Sequence, residues 1–182
     1  CSWTPKDMEV VQQAAVDLCE QRRDCFAILD LPPGTTPTGA MQWRRLFDTS
    51  HAAFYYPYVL APASAQSPTV AAGPNHSDQP LGGNTAAGWQ LDRLRQTGQT
   101  MTSVLGQGRP IPPSGHMAGI YARCDREQGV FRAPANEPLQ GVVDLEWFLA
   151  QTDQAMLNQE GINCLAVFAH RGIRVWGART AA

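Results

Sequence analysis

An acid, a base and a nucleophile occur in the order that some serine hydrolases use: Asp30, then His51, then Ser114. In such an enzyme the histidine takes the proton of the serine hydroxyl, and the aspartate orients the imidazole. Asp30 follows a short apolar run, and Ser114 begins a run of small residues, S-G-H-M-A-G. A helix N-terminus is a position that a nucleophilic serine can occupy. The three residues therefore define a hydrolase hypothesis.

The residues around this serine and histidine favour a structural role. Pro113 precedes Ser114, whereas glycine is the residue that lets a backbone turn sharply at a nucleophile. His51 lies in the stretch D-T-S-H-A-A-F, which has no flanking glycine. The intervening asparagines that could stabilise an oxyanion, Asn75 and Asn84, lie in a polar segment. We therefore predict that Ser114 is the N-cap of a helix, a role that contributes about 1 kcal/mol, and that the chain has no catalytic residue.

Charged residues near the end of the same helix could form a pair of catalytic carboxylates. Asp125 and Glu127 lie on one turn with Arg123 and Arg126. Acid–base catalysis by two carboxylates requires a cleft that shifts their pKa values apart. A solvated helix end with salt bridges accounts for the same residues more simply. No glycine pair follows a strand and opens a capped helix, so no phosphate loop or cofactor site is predicted.

The cysteines are odd in number and irregular in spacing: Cys1, Cys19, Cys25, Cys124 and Cys164. They form no Cys-x-x-Cys pair, so we predict no metal site. Cys19, Cys124 and Cys164 occupy apolar positions of predicted elements, which is typical of small buried hydrophobic residues. A disulfide is the less favoured alternative.

The composition is that of a globular and rather apolar protein. Of the 182 residues, 43% are hydrophobic and 16% are charged, and the formal net charge is −2. This length suits one domain with a sizeable core. The small net charge predicts no nucleic-acid partner. Because no apolar run approaches the ~18 residues that cross a bilayer, no membrane insertion is predicted. A low charge content is also compatible with a subunit of a larger assembly.

The first part of the chain alternates between helices and strands. Residues 6–23 carry a helical apolar stripe, and residues 26–29 form a short apolar run that predicts a buried parallel strand. A second helix is predicted over residues 38–47, and a second strand over residues 52–60. The stripe of the first helix consists of Met8, Val11, Ala15, Leu18 and Arg22.

Residues 61–110 lose this periodicity and predict a long surface loop or insertion within a single domain of residues 1–182. A helix beginning at Ser114 follows, and Leu145, Phe148, Leu149, Thr152 and Met156 predict another. Two strands over residues 162–168 and 173–178 then form a hairpin, with Gly172 at positive φ in its turn. The fold class is therefore α/β, a three-layer domain with a mixed, largely parallel sheet flanked by helices and a C-terminal β-hairpin.

Several long and unusual stretches resemble the contractile tail sheath proteins of phages and related injection machines. Residues 112–137 read PPSGHMAGIYARCDREQGVFRAPANE, and residues 171–180 read RGIRVWGART. CEQRRDCFAILDLP, AAFYYPYV and LNQEGINCLAVFAHRGIRVWGART occur in the family's order. The resemblance implies a structural protein that polymerises and contracts, without enzyme activity and without a cofactor. It also implies a subtilisin-like core fold, so a subtilisin-like serine hydrolase, active or degenerate, is the alternative. An interaction domain of unknown partner is a third possibility.

The resemblance implies partners and a location as well. The partners would be other copies in hexameric rings or a helical sheath, the inner tail tube protein, and baseplate and terminator proteins. The chain would belong to a virion or phage-tail-like particle assembled in the bacterial cytoplasm. Since the family has an N-terminal portion and a C-terminal domain beyond the matched stretches, the resemblance also implies a fragment or a truncated minimal subunit.

The resemblance assigns scaffold roles to named residues. Trp176 would be a large buried anchor, and Gly177 would permit a close approach of the backbone. Arg171, Arg174 and Arg179 are the candidates for a subunit interface. The residues of the structural motif are Pro113, Ser114, Gly115, His116, Gly119, Arg123, Asp125, Pro134, Asn136, Trp176, Gly177 and Arg179.

Overall fold

The computed structural model of the chain describes residues 4–62 and 108–182. The helices in these ranges are α1 (Pro5–Arg22), α2 (Pro37–Arg44), α3 (Ser114–Gln128) and α4 (Gln151–Gln159). The strands are β1 (Ala27–Leu29), β2 (Ala52–Tyr56), β3 (Val59–Pro62), β4 (Gly108–Ile111), β5 (Asp144–Leu145), β6 (Ile162–Phe168) and β7 (Gly172–Trp176).

The main sheet has the strand order β1-β2-β6-β7. β1 and β6 both run parallel to β2, with Ala27 opposite Ala52 and Phe54 opposite Ile162. β6 and β7 form an antiparallel hairpin, and Gly172 adopts φ +69 beside its turn, as predicted. Every residue of β2 is buried. A strand buried on both faces needs helices above and below it.

Two separate core clusters show that the sheet lies between helical layers. On one face, Val16 of α1, Ala40 of α2 and Leu157 of α4 pack with Phe54 and other residues of the sheet. On the other face, the buried side chains of α3 pack against Tyr55 and its neighbours. The predicted three-layer α/β arrangement with a mixed, largely parallel sheet is therefore confirmed.

The predicted strand over residues 52–60 is two strands. Pro57, which has no N–H to donate, separates β2 from β3. β3 leaves the main sheet and forms a second, antiparallel sheet in the order β4-β3-β5. Pro62 pairs with Gly108, so the two described ranges meet side by side. The insertion predicted for residues 61–110 lies almost entirely outside the described residues.

The helix predicted over residues 6–23 is present as α1, but its predicted inward stripe is wrong. Val11 and Leu18 are 49% and 53% exposed, and the buried residues are Gln12, Val16 and Cys19. Gln12 explains the difference because its amide has two partners. It donates to the carbonyl oxygen of Asp30 (2.6 Å) and accepts from the Trp43 indole (3.0 Å).

The predicted helix that included Leu145 and Met156 is shorter than expected. Leu145 lies in β5, and the helix begins only at Gln151. Leu149 is buried just before α4, whereas Phe148 and Met156 are 48% and 44% exposed. The apolar residues that suggested one long helix therefore belong to two elements and the connection between them.

A buried amide ties the C-terminal segment to the main sheet. Asn163 in β6 is fully buried, and its Nδ2 donates to the carbonyl oxygens of Phe54 (3.2 Å) and Arg179 (2.8 Å). Its Oδ1 accepts from the backbone N–H of Arg179 (2.7 Å). We call these three hydrogen bonds the Asn163 clamp. Gly177 passes beside the clamp at φ +139.

Replacing Gly177 with alanine should destabilise the fold. A Cβ there would lie 2.7 Å from Oδ1 of Asn163, and alanine would have to adopt φ +139. We expect a loss of at least about 1 kcal/mol in the free energy of unfolding, measured by urea titration. Gly119→Ala is the matched control, because Gly119 lies in α3 and the Cβ that alanine adds there would face open space. That control should be neutral or stabilising, and equal losses in both variants would contradict this explanation.

Candidate functional site

Two of the three candidate catalytic side chains meet at the carboxyl end of β1. Asp30 follows β1 directly, and Ser114 is the first residue of α3. The Ser114 hydroxyl donates to Oδ2 of Asp30 (2.5 Å), and the Ser114 backbone N–H donates to Oδ1 (3.0 Å). Ligand sites of open α/β sheets lie at this edge, so the contact is in a position where chemistry would be plausible.

The predicted N-cap role of Ser114 is wrong. The N-cap position of α3 is Pro113, and no side chain of that residue or of Ser114 caps the helix. Instead, the carboxylate of Asp30 accepts one of the first N–H groups, which have no partner inside a helix. A negative charge at a helix N-terminus is also favoured by the helix dipole. Asp30, directly after β1, thus supplies the hydrogen-bond acceptor for the helix N-terminus that was predicted to come from the Ser114 side chain.

Burial changes the pKa of the Asp30 carboxyl group. Loss of solvent around the carboxyl raises its pKa, and the hydrogen bonds from Ser114 oppose this shift without cancelling it. A raised pKa is also a property of some catalytic acids. It therefore does not by itself distinguish a catalytic carboxyl from a structural one, and the position of the histidine decides.

His51 lies at the opposite edge of the sheet. Its carbonyl oxygen accepts from the N–H of Ala27, the first residue of β1, and its Nδ1 lies 3.3 Å from the hydroxyl of Ser50. Because Ala27 pairs with Ala52 in parallel register, the strand rise separates His51 from the level of Asp30 by about 13 Å. The sequence order Asp30, His51, Ser114 therefore does not assemble into a triad.

His116 cannot replace His51 as a partner of Ser114 in this arrangement. Residues two apart on a helix do not face each other. His116 lines a cleft with Gly115, Gly119 and Arg123, and partial burial lowers the pKa of its imidazole. Within the described ranges, no group of three histidine, cysteine or acidic residues could hold a metal ion.

The loop after α3 is fixed to the helix and to the hairpin. Arg123 donates to the carboxylate of Glu137 (3.2 Å) and to the carbonyl oxygen of Pro138 (3.1 Å). Pro134 is buried, and Asn136 adopts φ +62 and donates its backbone N–H to Val175 (2.7 Å). The salt bridges predicted at the end of α3 are therefore only partly present, because Arg123 pairs with Glu137 in the loop that follows the helix. Asp125 is exposed on the same helix.

The arginines of the hairpin also hold this loop. Arg171 donates to the side-chain oxygen of Asn136 (3.1 Å), and Arg174 donates to the backbone carbonyl oxygen of Asn136 (2.6 Å). The side chain of Arg179 is exposed, although its backbone belongs to the Asn163 clamp.

The predicted burial of Trp176 is wrong. Its side chain is 45% exposed and packs beside the Phe168 ring, with ring centroids 5.2 Å apart. Side chains alternate between the two faces of a strand. Val175, which is fully buried, takes the inward position, so Trp176 points to the other face.

Comparison with known proteins identifies the family. Residues 6–181 match the phage tail sheath protein central domain. The chain belongs to the phage tail sheath protein family. An alignment over 77 positions, which covers 39% of this chain and 16% of the relative, is 38% identical to the tail sheath protein of Burkholderia phage BcepMu.

Solved sheath structures have the same fold as this domain. A chain of the contracted helical sheath of the anti-feeding prophage matches with a TM-score of 0.62 and 26% identity, over 98% of this chain and 37% of that one. A chain of the contracted sheath complex of the extracellular contractile injection system PVC matches with a TM-score of 0.55 and 28% identity, over 86% and 33%. The sheath domain described here thus spans about a third of the length of these relatives.

Sequence reasoning missed the two buried amides that organise this sheath domain. Asn163 is a single amide in the apolar run I-N-C-L-A-V-F, a pattern that predicts a buried hydrogen-bonding residue. Gln12 lies at helical spacing from Val16 and Cys19, which indicates a shared inward face. No helix in residues 4–62 and 108–182 is long and apolar enough to cross a membrane.

The Asp30 carboxyl should make the stability of the sheath domain depend on pH. Because its pKa is raised above the ordinary value of 3.8, the folded chain holds this proton more tightly than the unfolded chain. The stability that Asp30 contributes is therefore fully present below 3.8 and falls as the pH rises through the folded pKa. Asp30→Asn cannot titrate, so wild type should gain stability relative to this variant as the pH falls from neutral to about 4.

Urea unfolding of both proteins at a series of pH values measures this difference. The two proteins should therefore differ in stability by an amount that depends on pH. If the difference in the free energy of unfolding stays constant with pH, or if acidification favours the variant, Asp30 is not the buried carboxyl described above.

Proposed function

We propose that this chain is the central domain of the structural subunit of a contractile tail sheath, which polymerises around an inner tube and contracts to drive it through a target envelope. The proposal is supported chiefly by the family match over residues 6–181, together with the likeness to sheath chains solved in the contracted state. The domain acts as a structural element without catalysis and without a cofactor.

The way the chain's C-terminal end is held supports a rigid building block. Ala181 is fully buried, donates its N–H to Ala52 (2.9 Å) and accepts from Thr49 (2.7 Å). The Asn163 clamp holds Arg179 just before it. A pull on this end is therefore carried into β2 by a backbone hydrogen bond and into β6 through the side-chain amide of Asn163. Rigid bodies that exchange one set of contacts for another are a common basis of switching transitions.

Contraction in this proposal draws its energy from the packing of many identical copies. Each subunit needs only a small free-energy difference between two lattices, because the contributions of all copies add. Strand addition through terminal arms would keep neighbours joined during rotation, since main-chain hydrogen bonds supply the connection. No nucleotide is consumed at this step.

The proposed partners follow from the same assembly. They are other copies of the chain in hexameric rings or a helical sheath, the inner tail tube protein, and baseplate and terminator proteins. Chains that resemble this domain occur in structures of the helical sheath and of the baseplate of the anti-feeding prophage. The proposed location is a virion or phage-tail-like particle that is assembled in the bacterial cytoplasm.

We place a subunit interface at Arg171, Arg174 and Arg179. Arg171 and Arg174 are held in position by Asn136, and the backbone of Arg179 is fixed by the Asn163 clamp. Guanidinium groups on a fixed backbone bind carboxylates of another chain with little loss of side-chain freedom. The remaining residues of the structural motif then act as scaffold within the domain.

A subtilisin-like hydrolase, active or degenerate, is the second candidate. Its support is the position of Asp30 and Ser114 at the carboxyl edge of the sheet. The distance of His51 from that edge weighs against it. An interaction domain of another kind is the third candidate, and it differs from a sheath in forming no regular polymer.

Electron microscopy of the complete sheath protein that carries this domain tests the proposal. We expect tubes with regular helical striation. Arg179→Glu should shorten or abolish the tubes, because it reverses the charge at the proposed interface while leaving the backbone of the clamp unchanged. Arg126→Glu is the matched control, since Arg126 is an exposed arginine at the end of α3 with a 2.9 Å contact to its neighbour Glu127.

The control variant should form tubes like the wild type. A wild-type protein that remains a single particle at high concentration would contradict the sheath proposal. Normal tubes from Arg179→Glu would contradict only the placement of the interface.

A further inference from the structure

Two thiols lie against each other where α1 connects to β1. The Sγ atoms of Cys19 and Cys25 are 3.5 Å apart. Cys19 lies in the last turns of α1 and is 6% exposed, whereas Cys25 is exposed in the connection to β1.

The turn between the two cysteines holds them together. Arg23 ends α1 in the left-handed conformation at φ 60 and donates its N–H to the carbonyl oxygen of Cys19 (2.8 Å). Arg22 donates two hydrogen bonds to the carboxylate of Asp24, at 2.9 and 2.8 Å. The chain therefore reverses its direction in a defined way and brings Cys25 back to the helix.

We propose that Cys19 and Cys25 form an oxidation site, at which a low-molecular-weight disulfide such as oxidised glutathione converts the two thiols into an intramolecular disulfide. A disulfide bond is about 2.0 Å long, so the sulfurs must approach by about 1.5 Å. Rotation of the two short side chains and a small shift of the exposed connection supply this movement.

The difference in exposure sets the order of the two steps. Cys25 loses its proton to solvent, and its sulfur attacks one sulfur of the oxidant. The S–S bond of the oxidant breaks, and one glutathione leaves as a thiol after taking a proton. Cys19 then loses its proton and attacks Sγ of Cys25, which releases the second glutathione. The two cysteine sulfurs lose two electrons in total, and the oxidant gains them.

Burial explains why Cys19 is the second thiol and not the first. Loss of solvent, followed by the neighbouring Cys25, raises the pKa of the Cys19 thiol. The thiolate is the reactive form, so a buried thiol reacts slowly with an oxidant from solution. It reacts readily with a mixed disulfide that is already held next to it. Cys124 and Cys164 are also buried, and within the described ranges neither has a second thiol in contact.

The disulfide would fasten the C-terminal end of α1 to the start of the main sheet. α1 otherwise depends on one buried stripe, while Val11 and Leu18 on its surface are about half exposed. Oxidation would fix the position of the C-terminal end of α1 relative to β1, without a change in the core.

Peptide mapping of the 182-residue chain tests the oxidation site directly. Trypsin cleaves after Lys6, Arg22, Arg23 and Arg44, so it separates Cys19 in residues 7–22 from Cys25 in residues 24–44. After treatment of the folded chain with oxidised glutathione, and blocking of the remaining thiols, we expect these two peptides joined by a reducible bond. The intact chain should lose the mass of two hydrogen atoms.

A stable glutathione adduct on Cys25 without the joined peptides, or no reaction at Cys25, would overturn the proposal. Cys19→Ala should trap the intermediate. Its glutathione adduct on Cys25 should exceed that of the wild type at least about tenfold, because the second thiol is missing. Cys124→Ser serves as the matched control for loss of a buried thiol, and it should yield the same joined peptides as the wild type. Equal adduct levels in Cys19→Ala and wild type would also contradict the proposal.

Discussion

The central strand β2 is buried on both faces, and this constraint organises the rest of the domain. Its five residues are all buried, and they alternate between two separate core clusters. α1, α2 and α4 cover one face, so α3 must cover the other. α3 therefore has to begin near the carboxyl edge of the parallel strands, where its first N–H groups need acceptors. The Asp30 carboxylate supplies one acceptor, and this brings Ser114 into contact with it.

The arrangement that resembles part of a catalytic site is thus a consequence of packing. Parallel strands have all their carboxyl ends at one edge of the sheet and all their amino ends at the other. Asp30 follows β1 and His51 precedes β2, so the two residues lie at opposite ends of the strands. In the proposed sheath subunit, the useful property would be a body that keeps its shape while its neighbours move. The Asn163 clamp and the backbone pairing of Ala181 would serve that purpose at residues 179–181.

The sequence predicts the elements of this domain better than their contacts. The alternation of helices and strands, the short apolar run at residues 26–29 and the C-terminal hairpin are local patterns, and they predict the three layers correctly. The role of Ser114 could not be predicted, because its partner Asp30 is 84 positions away. The inward face of α1 depends on Gln12, whose partners Asp30 and Trp43 lie outside its own helix. The burial that the resemblance implied for Trp176 is wrong, because strand alternation assigns the inward position to Val175.

We propose that Asp30, His51 and Ser114 serve the architecture of the domain and not catalysis. The most direct measurement compares the rates of ester and peptide hydrolysis by the purified chain and by its Ser114→Ala variant. We expect equal rates at the level of the buffer alone, together with a lower unfolding midpoint for the variant. Turnover by the wild type that disappears in the Ser114→Ala variant would contradict this interpretation.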